Sequence, residues 1–127
     1  VLNVSGTNLT SLPDEISNCY ILEKIIANAS KFTSIPLTIG ELQNLKELNF
    51  GYNKIKAIPT SIVNCINLES LSLGNNEIQE IPLGFGKLDK MWFCSLSGNN
   101  LTSFSNELID LKKVGNLWLH GNKITSI

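Results

Sequence analysis

The sequence predicts an α/β solenoid: short parallel strands stacked side by side, each joined to the next by a crossover of short helical turns or loops. Three observations predict it. Four apolar columns return every 23 residues over the whole 127-residue chain, without insertion or deletion. Within one period the apolar spacing changes. In LESLSLGNNEIQEIP, residues 68 to 82, it runs three, two, five and three from Leu68 to Ile81, so neither a helical nor a strand period accounts for it alone. A proline column, Pro13, Pro36, Pro59 and Pro82, punctuates the period at one fixed place. Self-similarity at such a period is the signature of stacked repeats.

The strand comes first in each period. Its inward positions are Leu2, Ile25, Leu48, Leu71, Cys94 and Leu117 and, two residues on, Val4, Ala27, Phe50, Leu73, Leu96 and Leu119. Spacing by two puts both columns on one face. Parallel strands require a crossover, which the rest of each period provides. At ~4.8 Å between strands, six of them would make a sheet roughly 25 to 30 Å long. No single repeat can bury its apolar face alone, so stacking on neighbours supplies the stability.

A turn follows, with Asn53, Asn76, Asn99 and Asn122 in one column. The chain bends there toward the core and leaves backbone groups that sheet pairing does not reach, and a side-chain amide offers both an acceptor and donors for them. Thr7 and Ser30 hold this column in the first repeats without the amide's reach, so looser packing is expected at that end. The descending segment adds the columns Leu9, Phe32, Ile55, Ile78, Leu101, Ile124 and Leu12, Ile35, Ile58, Ile81, Phe104, Ile127. In the crossover, proline sets φ to about −65° and suits the first position of a short helical turn. Ile16, Ile39, Ile62 and Phe85 come three residues later and pack that turn on the back of the sheet. Ser105 breaks the proline column while Leu108 and Leu111 keep the apolar pattern, so a slightly different convex face is expected there.

Leu45, Leu48, Phe50, Asn53, Ile55, Ile58, Pro59, Ile62 and Cys65, with their equivalents before and after, carry a resemblance to a known family. The sequence resembles the leucine-rich repeat family in its 23-residue cytoplasmic form, LxxLxLxxNxLxxLPxxIxxL, over essentially all of residues 1–127. The whole is then a single domain of about five and a half repeats. The resemblance implies a right-handed superhelix with a curved parallel sheet on its concave side, used for binding other proteins. It implies two settings: an interaction module within an intracellular signalling protein, or the targeting segment of a multidomain signalling enzyme such as a kinase, a phosphatase of the 2C type, a cyclase or a Ras-like GTPase. Val1 and Leu2 begin inside a strand, Ile127 stops where the next proline is due, and neither end carries the polar cap that a solenoid needs. The chain therefore reads as a piece of a longer protein, and a monomer is expected.

Composition removes several classes of partner. Eleven acidic and ten basic residues give a net charge of −1, which leaves no electrostatic footprint for nucleic acid or an anionic membrane. All ten basic residues are lysine, which excludes an arginine clamp for phosphate or carboxylate. No apolar run approaches a membrane span, and the first residues lack the basic and apolar regions of a signal peptide. Cys19 and Cys65 share a convex core column two repeats apart, roughly 10 Å by strand spacing and too far for a disulfide. Cys94 takes the place of a strand leucine. All three read as small buried hydrophobes, and the cysteine-rich end caps usual in extracellular members of the family are missing, so a reducing cytoplasm is expected. Sequons at Asn3, Asn8, Asn28 and Asn100 point weakly the other way, since 16 asparagines make chance matches expected.

No catalytic or metal-binding set converges. His120 is the lone histidine, with no cysteine or carboxylate column beside it, and Asp14, Glu15, Glu41 and Glu107 fall at convex or turn positions where exposed carboxylates sit. Gly51, Gly74, Gly98 and Gly121 follow the repeat and serve turns or close packing, not a phosphate-binding loop. The chain is not read as an enzyme, and no cofactor is expected. What remains is the outward face of the strands. Opposite charges stand side by side on the first of them, Glu23 with Lys46, Lys46 with Glu69 and Lys24 with Glu47, which makes a self-satisfied solvated face. From residue 92 the character changes. Trp92, Phe93, Trp118 and His120 should stand on or beside the inner surface next to the small polar Asn49, Ser72 and Ser95, and these are the candidate partner-binding residues. Tyr52, at a strand exit, is a weaker candidate. An interaction surface and a face covered by missing repeats or a flanking domain are both open at this point.

Overall fold

A computed structural model describes all residues, 1–127. Strands sit where the two-residue spacing lies: β1 Leu2–Asn3, β2 Lys24–Ile26, β3 Glu47–Asn49, β4 Ser70–Ser72, β5 Phe93–Ser95 and β6 Asn116–Trp118. They form one six-stranded parallel sheet in sequence order, curved and not closed. The register never slips. Leu2 faces Ile25, Ile25 faces Leu48, Leu48 faces Leu71, Leu71 faces Cys94 and Cys94 faces Leu117. The ladder runs on past the strand ends, with the Phe50 N–H donating to the Ser72 carbonyl at 2.8 Å and the Tyr52 N–H to the Gly74 carbonyl at 2.9 Å. The molecule is an α/β solenoid.

The inward columns fill one core of 27 buried apolar residues. Phe32 and Phe50 meet edge to face within it, their centroids 5.1 Å apart. Burying one such large side chain contributes about 1.5–3 kcal/mol. These columns, more than strands of three residues, therefore hold the stack together. They loosen at the two ends, where a repeat has a neighbour on one side only: Leu9 is 42% exposed and Ile127 fully so.

Three crossovers carry a five-residue 3-10 turn, Asp14–Asn18, Leu37–Glu41 and Thr60–Asn64. Proline does not take the first helical position expected for it. Pro13, Pro36 and Pro59 stand just outside the turns as N-caps in extended backbone, with ψ of 153°, 147° and 136°. A ring-fixed φ fits a cap equally well, and the proline carbonyls accept the first turn bond from the N–H groups of Ile16, Ile39 and Ile62, each at 3.0 Å. After Pro82, Gly84 takes a left-handed conformation at φ 85° and shortens the turn to Phe85–Lys87.

The fifth crossover differs most. Ser105 caps an α-helical turn, α1 Asn106–Ile109, and its Oγ accepts from the Glu107 N–H at 3.1 Å. The Asp110 N–H closes on the Asn106 carbonyl at 3.1 Å, a bond one residue longer than those of the 3-10 turns. Successive crossovers approach closely where glycine allows it. A Cβ on Gly40 would lie 2.6 Å from the Ser61 carbonyl oxygen, and one on Gly86 2.5 Å from the Asp110 Cβ. A second row of amides ties the loops before the strands: Asn44 Nδ2 donates to the Tyr20 carbonyl at 2.9 Å and Asn67 Nδ2 to the Gln43 carbonyl at 2.7 Å.

Candidate functional site

The turn that ends each strand fixes the shape of the open face. One residue before the asparagine column the backbone is left-handed in every repeat, with φ of 66° at Gly6, 53° at Ala29, 57° at Tyr52, 58° at Asn75, 66° at Gly98 and 71° at Gly121. The asparagine then locks the bend. Asn76 Oδ1 accepts from the Ile55 N–H at 2.9 Å, and its Nδ2 donates to the Phe50 and Leu73 carbonyls at 2.9 and 3.0 Å. Asn53 makes the same set with Phe32, Ala27 and Phe50, Asn99 with Ile78, Leu73 and Leu96, and Asn122 with Leu101, Leu96 and Leu119. Ser30 still reaches the Val4 carbonyl at 3.2 Å, but the Leu9 N–H is left with Thr7 Oγ1 at 3.4 Å. A hydroxyl is too short to span both partners, and Leu9 is correspondingly exposed.

Outward side chains fall in two lanes across the strands. The lane at the strand starts is charged, with Lys24 Nζ 3.0 Å from Glu47 Oε2 and Lys46 Nζ 3.6 Å from Glu23 Oε1. The third expected pair does not form. Lys46 stands between two carboxylates and reaches Glu23, so Glu69 has no ion-pair partner. The lane at the strand ends is neutral. Asn28, Asn49, Gly51, Ser72, Gly74, Ser95 and Ser97 line a concavity of about 300 Å³ that Trp118 and His120 also border.

The candidate polar residues stand differently along that lane. Asn49 is half-buried; its Oδ1 accepts from the Gly51 N–H at 3.1 Å, and its Nδ2 has no acceptor within the chain. Ser72 is half-buried with an unengaged hydroxyl. Ser95 lies deeper, 5% exposed and with its Oγ 3.3 Å from that of Ser97, so it forms floor more than surface.

Where the lanes meet, the rings gather. The Phe93 centroid is 5.9 Å from that of Trp92 and 5.3 Å from that of Trp118, the latter edge to face, and Trp118 is 6.5 Å from His120. Trp92 and Trp118 remain 51% and 50% exposed. Phe93, opposite Ser70 and Asn116 on the ladder and between the two indoles, is half-buried. Aromatic pairs at such distances contribute about 0.5–1.5 kcal/mol beyond burial. The rings therefore position one another without entering the core. Tyr52, 66% exposed, borders the same concavity.

Other reactive groups lie elsewhere. Burial pushes the Cys94 thiol up to about 12 and the Cys65 thiol to about 11, so neither supplies a thiolate. Cys19 departs from the expected burial and is exposed, because only one neighbour covers the first repeat. Glu107 departs too. Its carboxylate accepts from the Gly86 N–H at 2.8 Å and the Gly84 N–H at 3.1 Å, which holds it below the ordinary carboxylate range and binds one crossover to the last. No group of three or more His, Cys, Asp or Glu side chains could hold a metal ion.

A family profile described as leucine rich repeats, two copies, matches residues 43–85. The fold superimposes on a leucine-rich repeat protein of Leptospira interrogans with a TM-score of 0.93, at 34% identity over 99% of this chain. This chain belongs to the leucine-rich repeat family. It spans 33% of the length of the Leptospira repeat protein. The leucine-rich repeat ectodomain of the plant membrane receptor kinase GASSHO1/SCHENGEN3 from Arabidopsis thaliana, solved in complex with CASPARIAN STRIP INTEGRITY FACTOR 2, is 30% identical over 95% of this chain and 15% of its own length, with a TM-score of 0.84. A TDR receptor is 28% identical over 87% of this chain and 20% of its own length, with a TM-score of 0.81. A search of curated protein sequences found no match. The leucine-rich repeat fold is a protein-interaction module. No helix here is long and apolar enough to cross a membrane.

Proposed function

We propose that this leucine-rich repeat chain binds a segment of another protein on its concave face, with Trp92, Phe93, Trp118 and His120 as the anchor. Asn49 and Ser72 add polar contacts over the floor made by Ser95. The single observation that carries this reading is the ring cluster: two indoles, each half exposed, held beside a neutral concavity on a face whose first strands pair their charges. Covering such rings gains about 25 cal/mol per Å² of apolar surface, and tryptophan is enriched among the residues that dominate interface energies. The Arabidopsis relative, solved with a factor bound, supports a binding role.

The chain acts as a binding module, not an enzyme, without a cofactor and as a monomer. Three unpaired cysteines favour a reducing, cytoplasmic setting within an intracellular signalling protein. A second reading makes the same face the targeting segment of a multidomain signalling enzyme. It is favoured by the chain's span of a third or less of its relatives, one of which belongs to a receptor kinase.

Affinity capture from cell extract, with wild type against a Trp92, Phe93, Trp118 triple alanine variant, tests the reading. The expected result is a protein retained by wild type and lost by the variant, which stays folded and loses only the few degrees of melting temperature that the ring contacts account for. Equal capture by both, or a loss of capture that tracks a collapse in melting temperature, overturns it.

A further inference from the structure

We propose that the partner segment presents a basic side chain that docks between the Glu69 carboxylate and the Trp92 ring, beside an apolar residue that covers Phe93 and Trp118. The proposal rests on the binding role of the ring cluster and adds to it the chemistry of the occupant. Glu23, Lys46, Glu69 and Trp92 follow one another in a single column across the strands. Lys46 is held by Glu23 at 3.6 Å, and Lys24 by Glu47 at 3.0 Å. The charged lane is thus left with one unmatched negative charge, and it sits at Glu69.

That carboxylate stands next to the exposed indole. Glu69 is half-buried, and its carbonyl accepts the Trp92 N–H at 2.9 Å, so the two side chains leave adjacent strands side by side. Glu69, Ser70 and Trp92 line one concavity of about 300 Å³ together with the engaged Lys24, Lys46 and Glu47. A cation over an indole face is attracted by the ring's negative quadrupole, and a carboxylate at the cation's edge adds a charge-assisted hydrogen bond. Both lysines of the lane are already engaged, so the matching charge comes from the partner.

The apolar neighbour follows from the order of the rings. Phe93 and Trp118 continue from Trp92 toward β6, their centroids 5.3 Å apart, so the segment crosses the strands with its basic residue over β4 and its apolar residue over β5 and β6. The neutral lane alongside carries no lysine or arginine, so it places no competing cation near the segment.

Panning a random dodecapeptide library against the intact 127-residue chain tests this. Enriched peptides are expected to carry arginine or lysine beside an aromatic or aliphatic residue, and to bind Glu69→Gln about tenfold more weakly. Wild-type affinity is expected to fall several-fold between about 50 and about 500 mM NaCl, and that dependence to flatten in Glu69→Gln. Panning on Glu69→Lys should turn the enrichment toward aspartate and glutamate. Peptides without a basic residue that need Trp118 but ignore Glu69→Gln overturn this inference and leave the binding reading standing. No enriched peptide, or peptides indifferent to both Trp118→Ala and Glu69→Gln, overturn the binding reading and this inference with it.

Discussion

Ala29, Tyr52 and Asn75 hold the positive φ that Gly6, Gly98 and Gly121 adopt without strain. Left-handed backbone costs an L-residue about 1–2 kcal/mol, partly offset by the greater flexibility glycine brings to the unfolded chain. Ala29→Gly should therefore raise stability by about 0.5–1 kcal/mol in urea unfolding, and a loss would show that the turn holds alanine without strain. Asn76→Ala acts in the other direction. It strips the Ile55 N–H and the Phe50 and Leu73 carbonyls of a buried partner, and should cost about 2–4 kcal/mol. An unchanged melting temperature would remove the amide from that role. The asparagine column was legible because one residue type recurs in it. The left-handed column beside it was harder to see, since alanine, tyrosine and asparagine share no composition signal, and only the recurrence of Gly6, Gly98 and Gly121 in that column points to it.

At the scale of the element, the fifth crossover shows what replacing proline with serine does. Ser105 caps an α turn, and Glu107, the second residue of that turn, reaches back to the Gly86 and Gly84 amides. Those bonds favour the charged carboxylate, so its folded-state pKa lies below the unfolded one. The stabilisation is present above the ordinary carboxylate pKa and is lost as pH falls through the lowered value. Melting temperature should thus drop more steeply for wild type than for Glu107→Gln between about pH 5 and about pH 2, and parallel curves would deny the linkage. Gly40→Ala should cost about 1–3 kcal/mol, because its Cβ would meet the Ser61 carbonyl oxygen of the next crossover; a neutral result would mean that the crossovers can part. The missing proline announced that this turn would differ. The tie made by Glu107 was not legible, because a carboxylate whose partners are backbone amides of another repeat looks in sequence like any surface charge.

Across the whole molecule, the architecture was legible because periodicity sets sheet order and register together. The same arithmetic placed Trp92, Phe93, Trp118 and His120 on one face, and the structure brings their rings into one chain of contacts. It did not foresee that Lys46 reaches Glu23 and not Glu69, because a column places both carboxylates at equal distance and rotamers decide between them. Nor did it foresee the depth of Ser95, which lies opposite Trp118 on the ladder with its Oγ beside that of Ser97. The three cysteines are unpaired, so adding a reductant should leave the melting temperature unchanged. A lowered value would require a cross-link between chains through the exposed Cys19.

Every strand pairs with the next at an identical offset, so the pairing geometry is the same at each step of the ribbon. Splicing out residues 70–92 would set Leu48 opposite Cys94 and Asn53 beside Asn99, and the remaining units would close over the gap like links in a shortened chain. The array behaves as a ruler whose length can be cut by whole marks.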